Sequence, residues 1–217
     1  MHPLHFALHK LDNSISKTLS KIMENNLVKN GFTVLNYDEN LSDYLTSYDT
    51  SDFKDLHLKN TSWKCKIKKL NEGRLFDLLC KYEKIAFQWY ETILNINLSH
   101  HYNSQESLSS IIYYDINSGY HGEHTDYGLF NIVLNNDSED CMYYKDKNKE
   151  WKLFKSKNKM IIMNGDAIEK ISNGKMKAIT HKVVKPHGFE RYIVTKICYP
   201  KNQKEELSKK QSNWLSL

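Results

Sequence analysis

Two histidines, a carboxylate and an arginine are spaced in this chain as a reactive centre would need them. His124 and Asp126 stand two residues apart, His181 lies far downstream, and Arg191 follows it by ten residues. Side chains on a β-strand alternate with a period of two, so His124-Thr125-Asp126 puts its imidazole and carboxylate on one face. A second imidazole from a distant strand completes a two-histidine, one-carboxylate set. Such a set holds non-haem Fe(II) from one side and leaves the opposite positions open to O₂ and a co-substrate. Arg191 offers a planar fork of N–H donors suited to clamping a carboxylate. The chemistry these residues point to is iron-dependent oxygenation.

A lone His-x-Asp is weak evidence, and the chain holds a rival in His121-Gly122-Glu123, expected to face the other way along the same strand. Two features favour His124. Tyr127-Gly128-Leu129-Phe130-Asn131-Ile132-Val133-Leu134 continues as a strand able to bury itself, and Tyr120-His121-Gly122 reads as the loop entering it. His121, His100, His101 and His187 are expected on the surface or in loops.

The elements that must position these residues fall into two halves. Leu11, Ile15, Leu19, Ile22, Met23 and Leu27 follow helical spacing from Leu11 to Val28, with Asp12 or Asn13 as cap and Asn30-Gly31 as stop. Phe32–Tyr37 reads as a short strand, and the polar stretch Asp38–Lys69 as short helices and loops. A second helix spans about Glu72–Leu94, with Leu75, Leu78, Leu79, Tyr82, Ile85, Ala86, Trp89, Ile93 and Leu94 forming a broad apolar stripe and the aromatics Tyr82, Trp89 and Tyr90 expected in the core. After Ser107 the pattern changes to short β-rich runs: Ser109–Tyr114, His124–Leu134, Cys141–Lys145, Trp151–Lys155, Met160–Met163, Ile179–Val184 and Tyr192–Cys198. Turns including Asn164-Gly165-Asp166 and Ser172-Asn173-Gly174 punctuate them. Helices first and strands afterwards predict an α+β domain whose catalytic half is a β-sandwich or jelly roll. The expected organisation is one compact domain: a mainly helical part over 1–108, the β core over 109–200 and a polar tail over 201–217 anchored by Trp214.

Composition narrows the function classes. The chain has 217 residues with 31 Lys and Arg against 26 Asp and Glu, a formal charge of +5 scattered along its length. Without a basic stripe, no nucleic-acid partner is expected. Four separated cysteines (Cys65, Cys80, Cys141, Cys198), with no Cys-x-x-Cys pair, predict reduced structural thiols and a cytoplasmic setting. Neither a signal-like N-terminus nor a bilayer-length apolar run is read from the sequence, so no membrane role is expected.

From His124 to Pro200 the chain resembles the isopenicillin N synthase-like branch of the Fe(II)/2-oxoglutarate-dependent dioxygenases. His124-Thr125-Asp126-Tyr127-Gly128 is similar to that family's HTDxG strand, Asn164-Gly165-Asp166 to its NGD turn, Ser172-Asn173-Gly174 to its SNG segment and His181-Lys182-Val183 to its HRV. Arg191 stands where the family carries its co-substrate arginine, and Ile111-Ile112-Tyr113-Tyr114 resembles the NYYP strand. The resemblance implies a double-stranded β-helix (jelly-roll) core, Fe(II) on His124, Asp126 and His181, and 2-oxoglutarate with its far carboxylate on Arg191, assisted by the Tyr114 hydroxyl. It also implies oxidative decarboxylation to succinate and CO₂, coupled to hydroxylation or desaturation of a substrate, a small molecule or a side chain of another protein.

The chain departs from the pattern where the family's RxS reads Arg191-Tyr192-Ile193, and the Asn and Pro of NYYP become Ile112 and Asp115. Two other readings therefore stay open: an iron oxidase of the same fold that does not use 2-oxoglutarate, and a non-catalytic jelly-roll binding protein. A nucleic-acid demethylase is disfavoured, because its second arginine, six residues after the first, is Ile197 here.

Overall fold

The structure, a computed structural model, describes residues 25–36, 41–45, 48–57, 63–102, 104, 107–115, 117–135, 141–155, 159–184 and 190–201. The first turns expected of the N-terminal helix, Tyr37, His187 and the tail with Trp214 lie outside them.

Four helices are described: α1 at residues 25–30, α2 (Leu41–Leu45), α3 (Arg74–Leu94) and α4 (Asp166–Ile171). The strands are β1 (Phe32–Asn36), β2 (Lys54–His57), β3 (Lys64–Lys69), β4 (Leu108–Tyr114), β5 (His121–His124) and β6 (Phe130–Asn135). They continue as β7 (Met142–Lys145), β8 (Trp151–Leu153), β9 (Lys159–Asn164), β10 (His181–Val183) and β11 (Arg191–Cys198). A seven-stranded sheet runs β1-β9-β6-β11-β4-β3-β2 and a four-stranded sheet runs β5-β10-β7-β8, with every pairing antiparallel. This is a double-stranded β-helix with α3 laid on the outer face of the large sheet.

The large sheet is buried on both faces, and strict alternation sorts its residues. Phe130, Ile132 and Leu134 of β6, Met160 and Ile162 of β9, and Val194 and Cys198 of β11 pack toward α3. Val133, Ile161, Met163, Ile193 and Tyr114 face the small sheet. From α3, Leu79, Ala86 and Tyr90 are wholly buried, and each fully buried large apolar side chain contributes about 1.5–3 kcal/mol. Tyr90 stacks on Phe130 and donates a 2.7 Å hydrogen bond to the Asn164 side-chain oxygen. The Asn164 amide in turn donates to the carbonyls of Leu27 and Lys177, so one buried side chain ties together α1, α3, β9 and the approach to β10.

Three local expectations need correction. Asp38–Lys69 contains β2 and β3, which extend the large sheet beyond β4. The signal is present in Trp63-Lys64-Cys65-Lys66-Ile67-Lys68: Trp63, Cys65 and Ile67 are buried while the lysines between them are exposed or half-buried. The expected strand His124–Leu134 is broken into β5 and β6 by a bend at residues 125–129. Finally, Asn164-Gly165-Asp166 is more than a turn, because Asp166 opens α4.

Candidate metal centre

Strands β5 and β10 bring the two histidines together, with His124 paired directly opposite His181. The same ladder carries a bulge: from that pair to the next, β5 advances three residues while β10 advances two. An extra residue reverses the side-chain alternation, so His121 shares the face of His124 instead of opposing it. The two rings stack at 3.5 Å between centroids, and His121 stacks on Trp63 at 4.2 Å and 9°. The expectation of a surface His121 is thus overturned by one inserted residue.

Asp126 does not sit on a strand with His124, as the alternation argument assumed. It occupies the bend after β5, where the start of α4 holds its backbone. The Asp166 N–H donates to the Asp126 carbonyl at 2.8 Å and the Ala167 N–H to the Gly128 carbonyl at 3.1 Å. These are first-turn amides with no partner inside their own helix. The approach is so close that a Cβ at Gly165 would lie 2.1 Å from the Gly128 oxygen and 2.8 Å from that of Asp126. On the side chain, Asp126 Oδ2 accepts a 2.9 Å hydrogen bond from the Asn131 amide, whose oxygen accepts from the Thr195 hydroxyl at 2.7 Å.

One ligand atom each from His124, Asp126 and His181 falls within 4.8 Å of the others. His124 Nε2 is 3.8 Å from Asp126 Oδ1, and His181 Nε2 is 3.8 Å from Oδ2. Both imidazoles contact a backbone oxygen through Nδ1: His124 with Gly122 at 2.8 Å and His181 with Ile179 at 3.1 Å. A carbonyl only accepts, so Nδ1 carries the proton and the Nε2 lone pair of each ring is left for an ion. Burial, followed by the proximity of His181, pushes the His124 pKa down to about 4, which keeps the ring neutral as ligation requires. Two imidazoles and a carboxylate on one side of a cavity fit Fe(II), and other divalent first-row ions as well.

The cavity lies between the sheets and is otherwise mostly apolar, lined by Trp63, Ile112, Tyr114, Val133, Met142, Met163, Val183, Ile193 and Ile197 beside the three candidate ligands, His121, Asn131 and Thr195. Arg191 pairs with Tyr114 across β11 and β4 and alternates in step with Ile193 and Thr195. Its guanidinium carbon lies 5.1 Å from the centre of the Tyr114 ring, with both side chains wholly buried. Trp63 Nε1 donates to the Tyr114 hydroxyl at 3.1 Å. Trp63, His121, Asn131 and Thr195 join the five residues singled out from the sequence. Asn131 and Thr195 left a readable trace, each being a polar residue at an inward position of an apolar strand.

Residues 99–200 match the family model of the 2OG-Fe(II) oxygenase superfamily. Over that span, just under half of its length, the chain is similar to the superfamily. Its matched span contains all of Tyr114, His124, Asp126, His181 and Arg191. Among curated proteins, the 2-oxoglutarate-dependent dioxygenase traH of Penicillium crustosum is 33% identical over 75 residues, covering 34% of this chain and 23% of that protein. The match thus spans less than a quarter of that protein's length. Solved structures share the architecture at low identity. A Neurospora crassa protein in complex with alpha-KG superposes with a TM-score of 0.65 at 13% identity, over 89% of this chain and 83% of the other. The dioxygenase for auxin oxidation 1 from Arabidopsis thaliana, in complex with 2-oxoglutarate, gives 0.64 at 14% identity, over 86% and 90%. Among the described residues, no helix is long and apolar enough to cross a membrane.

Proposed function

We propose that the protein is a non-haem Fe(II)- and 2-oxoglutarate-dependent dioxygenase that hydroxylates or desaturates a small molecule. The observation that carries this reading is the convergence of His124 Nε2, His181 Nε2 and the Asp126 carboxylate within 4.8 Å on an inter-sheet cavity that Tyr114 also lines. Bound Fe(II) and 2-oxoglutarate, with O₂, supply an oxidant for a substrate C–H bond and yield succinate and CO₂.

The residues divide the remaining work. His124 and His181 present their Nε2 lone pairs, and Asp126 offsets part of the ion's charge. Arg191 pairs with the far carboxylate of the co-substrate, a charge-assisted and bidentate contact, and the Tyr114 hydroxyl, oriented by Trp63, adds a donor. Ile112, Val133, Met142 and Val183 keep bulk water from the reacting atoms. These walls favour an uncharged, apolar region of substrate next to the ion. The relatives solved with alpha-KG and 2-oxoglutarate support the choice of co-substrate.

Ile193 motivates a second reading. It lines the cavity where a hydroxyl would assist the arginine, and in an iron oxidase without 2-oxoglutarate Arg191 would bind the substrate's own carboxylate. Titrating 2-oxoglutarate into anaerobic Fe(II)-loaded protein decides between them. The first reading expects a visible metal-to-ligand charge-transfer band, absent in His124→Ala and at least about tenfold weaker in apparent affinity in Arg191→Ala. Iron bound without the band selects the oxidase, and no iron bound at all sinks both.

A further inference from the structure

Asn131 and Thr195 form a short buried chain that ends on one oxygen of Asp126, and it constrains how that carboxylate meets an ion. The polarity of the chain is fixed from the ligand end. An ionised carboxylate only accepts, so the Asn131 group facing Oδ2 is its NH₂, at 2.9 Å. The amide oxygen then faces Thr195, whose hydroxyl donates to it at 2.7 Å. Asn131 is 6% exposed and Thr195 4%, so water competes poorly for either bond. Both residues sit inside the large sheet: Asn131 pairs with Met163 on one side and Ile197 on the other, and Thr195 with Val133 and Ser110. The backbone behind the amide is therefore fixed.

We infer that Asn131, oriented by Thr195, is a positioning residue: its N–H engages one lone pair of Oδ2, the oxygen 3.8 Å from His181 Nε2, and so favours Asp126 as a one-oxygen ligand through Oδ1, the oxygen 3.8 Å from His124 Nε2. This rests on the metal-centre reading above. Its consequence follows from counting on an octahedral ion. With Asp126 bound through one oxygen, three protein atoms leave three positions, enough for a chelating co-substrate and O₂ together. With Asp126 bound through both oxygens, only two remain, and a chelating co-substrate would fill them. The link to Thr195 also places this control on β11, the strand that carries Arg191.

Mn(II), which favours the same octahedral oxygen and nitrogen ligation, provides a probe that needs no substrate. The water-proton relaxivity of the loaded full-length protein reports exchangeable waters on the ion. Asn131→Leu keeps the branched shape of the side chain and removes the donor. It is expected to lower relaxivity per bound Mn(II) by about a third, as three open positions become two, and to weaken Mn(II) affinity about tenfold. Thr195→Val, which removes a single hydroxyl, is expected to move both quantities the same way by less. The double variant should resemble Asn131→Leu, since the hydroxyl acts through the amide. Melting temperature and circular dichroism accompany each measurement, and Thr195→Val carries the test if Asn131→Leu does not fold. Folded variants with wild-type relaxivity per ion overturn the inference, even where their melting temperature is lowered. A wild-type protein that binds neither Mn(II) nor Fe(II) overturns the metal-centre reading itself, so the two failures are told apart.

Discussion

His121 and His124 are imidazoles that this fold holds against protonation. Burial is the largest cause for each, and it pushes His121 down to about 2 and His124 to about 4, from an ordinary value of 6.5. Between pH 6.5 and 4 the unfolded chain therefore takes up protons that the folded, metal-free chain refuses. Stability rises with pH wherever the unfolded state binds more protons, so metal-free protein loses stability as pH falls from about 6.5 toward 4. His121 continues the loss below that. Each group contributes at most about 1.4 kcal/mol per pH unit. Urea midpoints of metal-free protein should fall between pH 7 and pH 5, and His121→Phe, which retains an aromatic ring against Trp63, should reduce the slope. An identical slope in the variant would show that His121 is not held neutral. His121 also shows why the site was only partly legible: its face depends on a bulge whose one sequence trace, Gly122 within β5, reads equally well as a loop glycine.

At the scale of elements, the carboxylate is placed by α4 and not by the strand that carries its histidine partner. The HTDxG-like segment named residues that do converge, but for the wrong geometric reason, since alternation on one strand does not operate across the bend at 125–129. What shapes that bend is the close packing of two glycine-containing segments, which no periodicity reveals. Gly165→Ala would drive a Cβ into the Gly128 and Asp126 carbonyls. Backbone cannot yield as a flexible side chain does, and overpacking of this kind costs about 1–3 kcal/mol or more. The expected outcome is a melting temperature lower by several degrees together with weakened metal binding, because the displaced loop carries Asp126. Gly122→Ala is the control. It lies closer in sequence to His124, yet its Cβ would meet only the Tyr120 ring edge, at 4.0 Å, so near-wild-type melting and metal binding are expected. Equal damage from both substitutions would refute the argument.

For the whole molecule, the jelly roll was legible because β4 and the strands after it write their burial in runs such as Lys159–Asn164 and Arg191–Cys198, short enough to be strands and apolar enough to lie inside. β3 was obscured by the lysines between Trp63, Cys65 and Ile67, and β2 by having a single apolar residue, Leu56. The assembled architecture gives the candidate ion a global role. His124 closes β5, Asp126 sits in the bend beyond it and His181 opens β10 more than fifty residues later. An ion at these residues cross-links segments that an unfolded chain keeps apart, so it binds the native state selectively and stabilises it by linkage. At a free metal concentration about one hundred times Kd the gain is about 2.7 kcal/mol, which for a domain of this size raises the melting temperature by roughly 5–10 °C. Adding Mn(II) to chelator-treated protein should produce that rise in wild type and none in His181→Ala, measured by calorimetry under nitrogen. A saturating ion that leaves the wild-type melting temperature unchanged would mean that it binds elsewhere, or binds folded and unfolded chains alike, and either result is incompatible with a three-ligand centre between β5 and β10.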